Sequence, residues 1–313
     1  MIAAVFPGQG SQHPGMGKEL FDSSAAARAV FQEVQEATHI DVANLCFDGD
    51  EALLRQTQNA QLALFASGIA AYRALGVDGF GAMAGHSVGE YAALVAAGVL
   101  GVADGARLVQ RRGDLMARSG NLRAGTMAAI LGLDKDALQQ VCRTASGDAG
   151  VVVIANDNCP GQLVISGDVS AVEKAEELAK EAGAKRAIRL NVSGAFHSPL
   201  MVEPAKAMGA ALTPELFHES AKAKVYCNVL AEPPSGAGEW PGLLEAQLSN
   251  PVRWTESVQN MIRDGVDTFV EFGAGDVLCG LVRRISKEVT TLAVKDAASL
   301  EMARDALGNR VTA

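Results

Sequence analysis

Ser87 stands between two glycines, in Gly85-His86-Ser87-Val88-Gly89. That spacing is the pattern of a nucleophile elbow, where a strand turns sharply into a helix. The turn brings strand and helix almost into contact, so side chains two positions either side of the serine would collide. It lifts the hydroxyl clear of the sheet and points backbone N–H groups of the helix N-terminus at whatever the serine attacks. Glycine-rich chains produce GxSxG by chance, and the competing reading is an ordinary glycine turn in an α/β protein. A serine nucleophile needs a base, and the chain has His13, His39, His86, His197 and His218. His86 adjoins Ser87, but neighbours on such a turn point in different directions, which suits a structural role. His39 and His218 fall in helix-like or surface contexts. His197 lies in Val192-Ser193-Gly194-Ala195-Phe196-His197-Ser198-Pro199, a loop after a strand, where catalytic groups concentrate. It is the candidate base of a serine–histidine arrangement. Arg112, in Leu108-Val109-Gln110-Arg111-Arg112-Gly113, offers a planar fork that would grip a carboxylate through two parallel bonds. The plain alternative for a single arginine is a solvated helix face.

The surrounding pattern supplies the elements that such residues need. Phe80-Gly81-Ala82-Met83-Ala84 is short, apolar and small, like a buried strand, and residues 90–100 are alanine-rich and helical. Residues 2–8 read as a first strand ending in Pro7-Gly8-Gln9-Gly10-Ser11-Gln12, a glycine-rich loop with no lysine and so no P-loop. Helical periodicity covers 24–38 and 59–75, and again 102–119 with a stop near Gly120. From Thr126 the rhythm changes to strand, helix, strand, strand, helix, strand, with Asn156-Asp157-Asn158-Cys159-Pro160-Gly161 as a turn-forming loop and Asp168 in a cap region. That order predicts a ferredoxin-like βαββαβ unit. Strand–helix alternation then resumes and runs to a last helix. The predicted fold is α/β: a hydrolase-like parallel sheet core over 1–124 and 193–313, with the ferredoxin-like subdomain inserted at 125–192.

Composition narrows the classes. The 313 residues are 49% hydrophobic, enough for a sizeable core. No apolar run approaches the roughly 18 residues of a membrane span, and the N-terminus reads as a strand and not a signal peptide. Cys46, Cys142, Cys159, Cys227 and Cys279 form no CxxC pair, which suits free thiols in a reducing cytoplasm with no zinc or other metal site. The net charge of −9 argues against nucleic acid or an anionic membrane as general partner.

Several stretches together resemble the malonyl-CoA:acyl carrier protein transacylases and the related acyltransferase domains of polyketide synthases, along nearly the whole chain. They are Phe6-Pro7-Gly8-Gln9-Gly10-Ser11-Gln12, Gly85-His86-Ser87-Val88-Gly89-Glu90, Arg112-Gly113-Asp114-Leu115-Met116, Asn156-Asp157-Asn158, Pro160-Gly161-Gln162, Val164-Ile165-Ser166-Gly167, Phe196-His197-Ser198-Pro199-Leu200-Met201 and Asn250-Pro251-Val252-Arg253-Trp254. The resemblance implies that Ser87 takes the malonyl group from malonyl-CoA as an ester, with His197 as base and acid. It places the oxyanion hole at the backbone N–H groups of Gln9 and Val88 and the carboxylate clamp at Arg112. A backbone carbonyl, here at Gln247, would hold the histidine in place of a triad aspartate. Asn156 and Asn158 become candidate coenzyme A or pantetheine contacts. Phe196, beside the histidine, resembles the malonyl-selecting type and would crowd an α-methyl branch. The acceptor is the phosphopantetheine thiol of acyl carrier protein, reached by ping-pong chemistry with no cofactor, in fatty acid biosynthesis.

Two departures stand out: no proline precedes Phe196 at Gly194-Ala195, and the late loop is Gly273-Ala274-Gly275 where the family usually has Gly-Pro-Gly. Both shape backbone away from the chemistry. The acidic carrier needs a local basic patch, with candidates Lys180, Lys185, Arg186 and Arg189, or Arg283, Arg284 and Lys287. A cytoplasmic monomer is the expectation. The same transfer serving a polyketide pathway or malonate decarboxylation is the nearest alternative. A serine hydrolase or thioesterase is a further class, against which Arg112 and the absence of a third acidic member count. A non-catalytic scaffold is disfavoured by the joint presence of Ser87, His197, Arg112 and Gln9.

Overall fold

The computed structural model describes residues 1–148, 150–219 and 223–310. The chain opens with β1 (Ile2–Phe6), then α1 (Lys18–Ser23), α2 (Ala25–Thr38), α3 (Val42–Phe47), α4 (Glu51–Leu54) and α5 (Thr57–Leu75). Next come β2 (Phe80–Gly85), α6 (Gly89–Ala96) and α7 (Val102–Leu122). A second run follows: β3 (Gly125–Leu131), α8 (Lys135–Ala145), β4 (Val152–Cys159), β5 (Gln162–Asp168), α9 (Val169–Glu181) and β6 (Arg186–Arg189). The chain closes through α10 (Val202–Gly209), β7 (Lys224–Tyr226), α11 (Trp240–Gln247), α12 (Trp254–Arg263), β8 (Thr268–Phe272), α13 (Val277–Ile285), β9 (Thr290–Val294) and α14 (Ala297–Leu307).

The core sheet runs β7-β2-β1-β8-β9, and every pair in it is parallel. Such a sheet needs helices on both faces, so its inner strands are apolar on both sides. All of β1 is buried, as is all of β8. One face packs on α5, which is buried almost all round; the other packs under α12 and α13, around Trp254, Phe269 and Leu278. The small residues of β2 let α6 lie close against the sheet. The second sheet is antiparallel, in the order β4-β5-β3-β6, the strand order of a βαββαβ unit, with α8 and α9 packed on one face.

Three local features differ from the sequence expectation. Residues 156–159 are not loop but the end of β4. Two register shifts, at Ile154/Asn156 and Asp157/Cys159, absorb the polar run. Its outer edge is paired to the core: Asp157 N donates to Val252 O at 3.0 Å, and Val252 N donates to Ala155 O at 2.9 Å. Gly120 lies inside α7 and does not end it; a Cβ there would come within 2.1 Å of the Ser193 carbonyl oxygen, so the glycine permits close approach of the segment leading to His197. Asp168 does occupy the N-cap of α9, but its carboxylate takes the Arg123 guanidinium and the Val151 N–H and leaves the helix amides alone. Among the described residues, no helix is long and apolar enough to cross a membrane.

Candidate active site

Ser87 sits where β2 ends and α6 begins, at φ 54°. A left-handed serine is strained, and the surroundings fix it. Asn228, after β7, clamps the turn from one side: its Oδ1 accepts from Ser87 N at 2.8 Å and its Nδ2 donates to Gly85 O at 2.7 Å. His86 N donates to Phe6 O at 2.9 Å, tying the turn to the end of β1. The flanking glycines are required by contact. A Cβ at Gly85 would lie 1.8 Å from the Gly89 carbonyl carbon, and one at Gly89 would lie 2.2 Å from Phe6 O. Both clashes are with backbone, which cannot swing away. Gly89→Ala is therefore expected to destabilise the fold by more than about 4 kcal/mol, read as the loss of denaturation midpoint in urea. A loss of stability under a tenth of that would show that β1 and α6 can part without cost.

The Ser87 hydroxyl meets two groups. His197 Nε2 lies 2.8 Å from Oγ, and Arg112 Nη2 donates to the same oxygen at 3.0 Å. His197 Nδ1 faces two backbone carbonyls, Gln247 O at 2.8 Å and Asn250 O at 3.2 Å. Carbonyls only accept, so the ring proton is on Nδ1, and Nε2 presents a lone pair to the serine. Burial, and then the Arg112 charge, push the imidazole down to about 3, which keeps it neutral with its Nε2 lone pair free in the resting site. His197 itself has φ 57°, and its N–H donates to Leu248 O at 3.0 Å.

Arg112 is not on a solvated helix face. It is fully buried on α7, with Nη1 donating to Gln61 Oε1 at 2.5 Å and Nη2 to Gln247 Oε1 at 2.9 Å. Tyr91 lies under its guanidinium, 5.8 Å from ring centre to carbon. Gln247 joins the groups together. Its carbonyl holds His197, its Oε1 holds Arg112, and its Nε2 donates to Ser87 O at 3.0 Å and Glu90 Oε2 at 2.5 Å.

A cavity of about 380 Å³ opens over the serine, lined among others by Gln9, Val88, Arg112, Asn156, Phe196 and His197. The elbow's own turn bonds run from the N–H groups of Gly89, Glu90 and Tyr91 to the carbonyls of His86, Ser87 and Val88. They do not use the N–H groups of Gln9 or Val88. Gln9 is steadied by its side chain, which donates to Thr57 Oγ1 at 3.3 Å. Asn158 is the residue the structure sets apart: it does not line the cavity, and its Oδ1 bonds His86 Nε2 at 2.8 Å. His86 in turn packs on Trp254 and itself lines the cavity. Of the surface cations, Arg189 is paired with Glu176, and Arg284 with Gln162 and the Pro160 carbonyl.

Sequence reasoning missed Asn228 and the chemical weight of Glu90 and Gln61. Glu90 and Gln61 sit on helices whose apolar runs make them look incidental, and Asn228 stands alone after a three-residue strand. The side chain of Gln247 was missed as well, since only its carbonyl was expected to matter.

A parallel α/β sheet whose inner strand ends in a left-handed serine, faced by histidine and a buried arginine, defines a serine-dependent α/β enzyme. The comparisons narrow that class. The acyl transferase domain family matches residues 4–313, and the chain belongs to that family. It is 44% identical over 304 residues to the malonyl CoA-acyl carrier protein transacylase of Bacillus subtilis, covering 96% of each chain. It superimposes with a TM-score of 0.93 on the acyl-carrier-protein-S-malonyltransferase of Bartonella henselae, at 41% identity, covering 98% of this chain and 99% of that one. A malonyl-transacylase solved in complex with a type II PKS acyl-carrier protein gives the same TM-score, 0.93, at 38% identity, covering 97% of this chain and 99% of that one.

Proposed function

We propose that this protein is an acyl-carrier-protein S-malonyltransferase, moving a malonyl group from malonyl-CoA to the phosphopantetheine thiol of acyl carrier protein through an ester on Ser87. The observation that carries the reading is the pair of contacts at Ser87 Oγ, a neutral histidine nitrogen on one side and a buried guanidinium on the other. A hydrolase of uncharged esters has no use for the second. The relatives named above supply the acyl group and the acceptor.

His197 Nε2 takes the Ser87 proton as Oγ attacks the thioester carbonyl. The backbone N–H groups of Gln9 and Val88 are the donors for the developing oxyanion. Collapse breaks the carbon–sulfur bond, and the coenzyme A sulfur leaves with the proton held by His197. The carrier thiol then repeats the sequence in reverse. No carboxylate completes a triad, because two carbonyls orient the imidazole. Arg112 releases Ser87 to grip the malonyl carboxylate, and that anion also offsets the positive charge that disfavours a protonated His197. Asn156, which lines the cavity, is the candidate contact for the pantetheine arm, whereas Asn158 would act on it only through His86. Buried Phe196 beside the base narrows the space available to an α-substituent.

The test is intact-mass analysis of the protein mixed with equal malonyl-CoA and methylmalonyl-CoA, followed by the phosphopantetheinylated carrier. The expected result is a malonyl adduct, in excess over methylmalonyl, that moves to the carrier. An adduct that decays to free malonate in the carrier's presence would point to a hydrolase, and equal adducts would remove the role given to Phe196. Fatty acid biosynthesis is the pathway that the chemistry of the relatives named above fits. The structure in complex with a polyketide carrier keeps the polyketide setting as a second reading.

A further inference from the structure

Arg112 is fully buried, yet every oxygen it touches is neutral: Gln61 Oε1, Ser87 Oγ and Gln247 Oε1. A buried guanidinium needs a balancing charge. The carboxylate whose field reaches it is Glu90, on the first turn of α6 and also fully buried. Glu90 Oε2 accepts from Gln247 Nε2 at 2.5 Å, and Oε1 accepts from Asn228 N at 3.3 Å. The Gln247 amide therefore stands between the two charges. Its N–H faces the carboxylate and its oxygen faces the guanidinium, and the reverse orientation would set NH₂ against the arginine donors. A direct Glu–Arg pair would occupy the arginine and shut out a substrate carboxylate. With the amide interposed, the guanidinium holds only neutral oxygens, which an incoming carboxylate displaces.

We propose that Glu90 is a positioning residue for carboxylate recognition: through Gln247 it balances Arg112 in the free enzyme, and it takes up a proton from solvent when a substrate carboxylate assumes that balance. The inference rests on the malonyl reading above. Burial pushes the Glu90 carboxyl up to about 7, against the opposing pull of its hydrogen bonds from Gln247, Asn228 and Cys227 and of the Arg112 charge. A second anion in the same buried site raises it further. The other titratable groups around it are Tyr91 on its own helix, Cys227 after β7, and His197 beyond Gln247. Burial pushes Tyr91 and Cys227 up, and both stay neutral; His197, pushed down to about 3, stays neutral too. Glu90 is the member of this group that titrates in the neutral range.

The sign follows. Protonated Glu90 leaves Arg112 with its full charge for the substrate. Ionised Glu90 opposes a second carboxylate, so preference for a carboxylate-bearing acyl group falls as pH rises, at most about tenfold per pH unit. The measurement is the ratio of kcat/KM for malonyl-CoA to that for acetyl-CoA, from about pH 6 to 9, in the wild type and in Glu90→Gln. The ratio cancels groups that both substrates share, His197 included. The expected result is a ratio that falls at least fivefold across neutrality in the wild type and stays flat in the variant. A flat wild-type ratio, or the same fall in Glu90→Gln, overturns the inference. If the variant does not fold, the wild-type ratio decides alone. Failure of malonyl-CoA to acylate the wild type at any pH would instead sink the malonyl reading itself.

Discussion

Replacing Ser87 by alanine is expected to lower malonyl transfer by on the order of 10⁴–10⁶-fold, the loss seen when a nucleophile that works as a unit with its base is removed. Among the described residues that line the cavity, no other side chain carries a hydroxyl or thiol. All five cysteines are buried, and burial raises the thiol of each above its ordinary value. The same variant must show no covalent malonyl adduct by intact mass, because the ester has no oxygen to form on. Its thermal midpoint should change little: alanine adopts the left-handed backbone no worse than serine, and the clamp from Asn228 grips backbone atoms only. Transfer surviving at more than a hundredth of the wild-type rate would place the acyl group elsewhere and dissolve the mechanism.

Arg112→Ala is the second. Removing one partner of a buried, hydrogen-bonded charge pair typically costs about 3–5 kcal/mol, or roughly 10²–10⁴ in kcat/KM for malonyl-CoA. The value for acetyl-CoA, which brings no carboxylate, should fall far less, so the preference between the two collapses. The variant should also be less stable. Gln61 and Gln247 lose the donor they share, and Glu90 is left buried without its balancing charge. Arg112→Lys does not repair this: a single ammonium cannot span Gln61, Ser87 and Gln247 at once as the guanidinium does. A preference that survives in Arg112→Ala would mean that some other cation reads the acyl carboxylate.

The elbow was legible because its constraint is local. Gly85 and Gly89 are small for reasons confined to one turn, and that turn writes itself into five consecutive residues. The alternation of strands and helices was legible for a similar reason, since β1 and β2 each carry a continuous run of apolar or small residues. His197 was legible by elimination among few histidines. Arg112 was legible only through the family resemblance: nothing in the α7 periodicity distinguishes a buried arginine from a solvated one, and its burial depends on Gln61 and Gln247, which lie 51 and 135 residues away. Glu90 illustrates the same limit. It follows the elbow directly in sequence, yet its meaning comes from an amide on α11. The polar end of β4 read as a loop because its partner, Val252, belongs to a distant stretch that sequence periodicity does not connect.

The place of β1 in the core sheet bears on how the protein is made. β1 precedes the other strands of the core sheet in the chain and lies between β2 and β8. Its pairing with β8 joins Ile2 to Thr268, and the terminal amine of Met1 is bonded to the Gly265 carbonyl and to Asp267. β1 therefore waits until β8 has been synthesised before one of its edges is satisfied. The antiparallel sheet draws all its strands from residues 125–189 and is free to pair long before. Nascent chains should carry an open, apolar β1–β2 edge for most of elongation, the kind of surface that holdase chaperones bind.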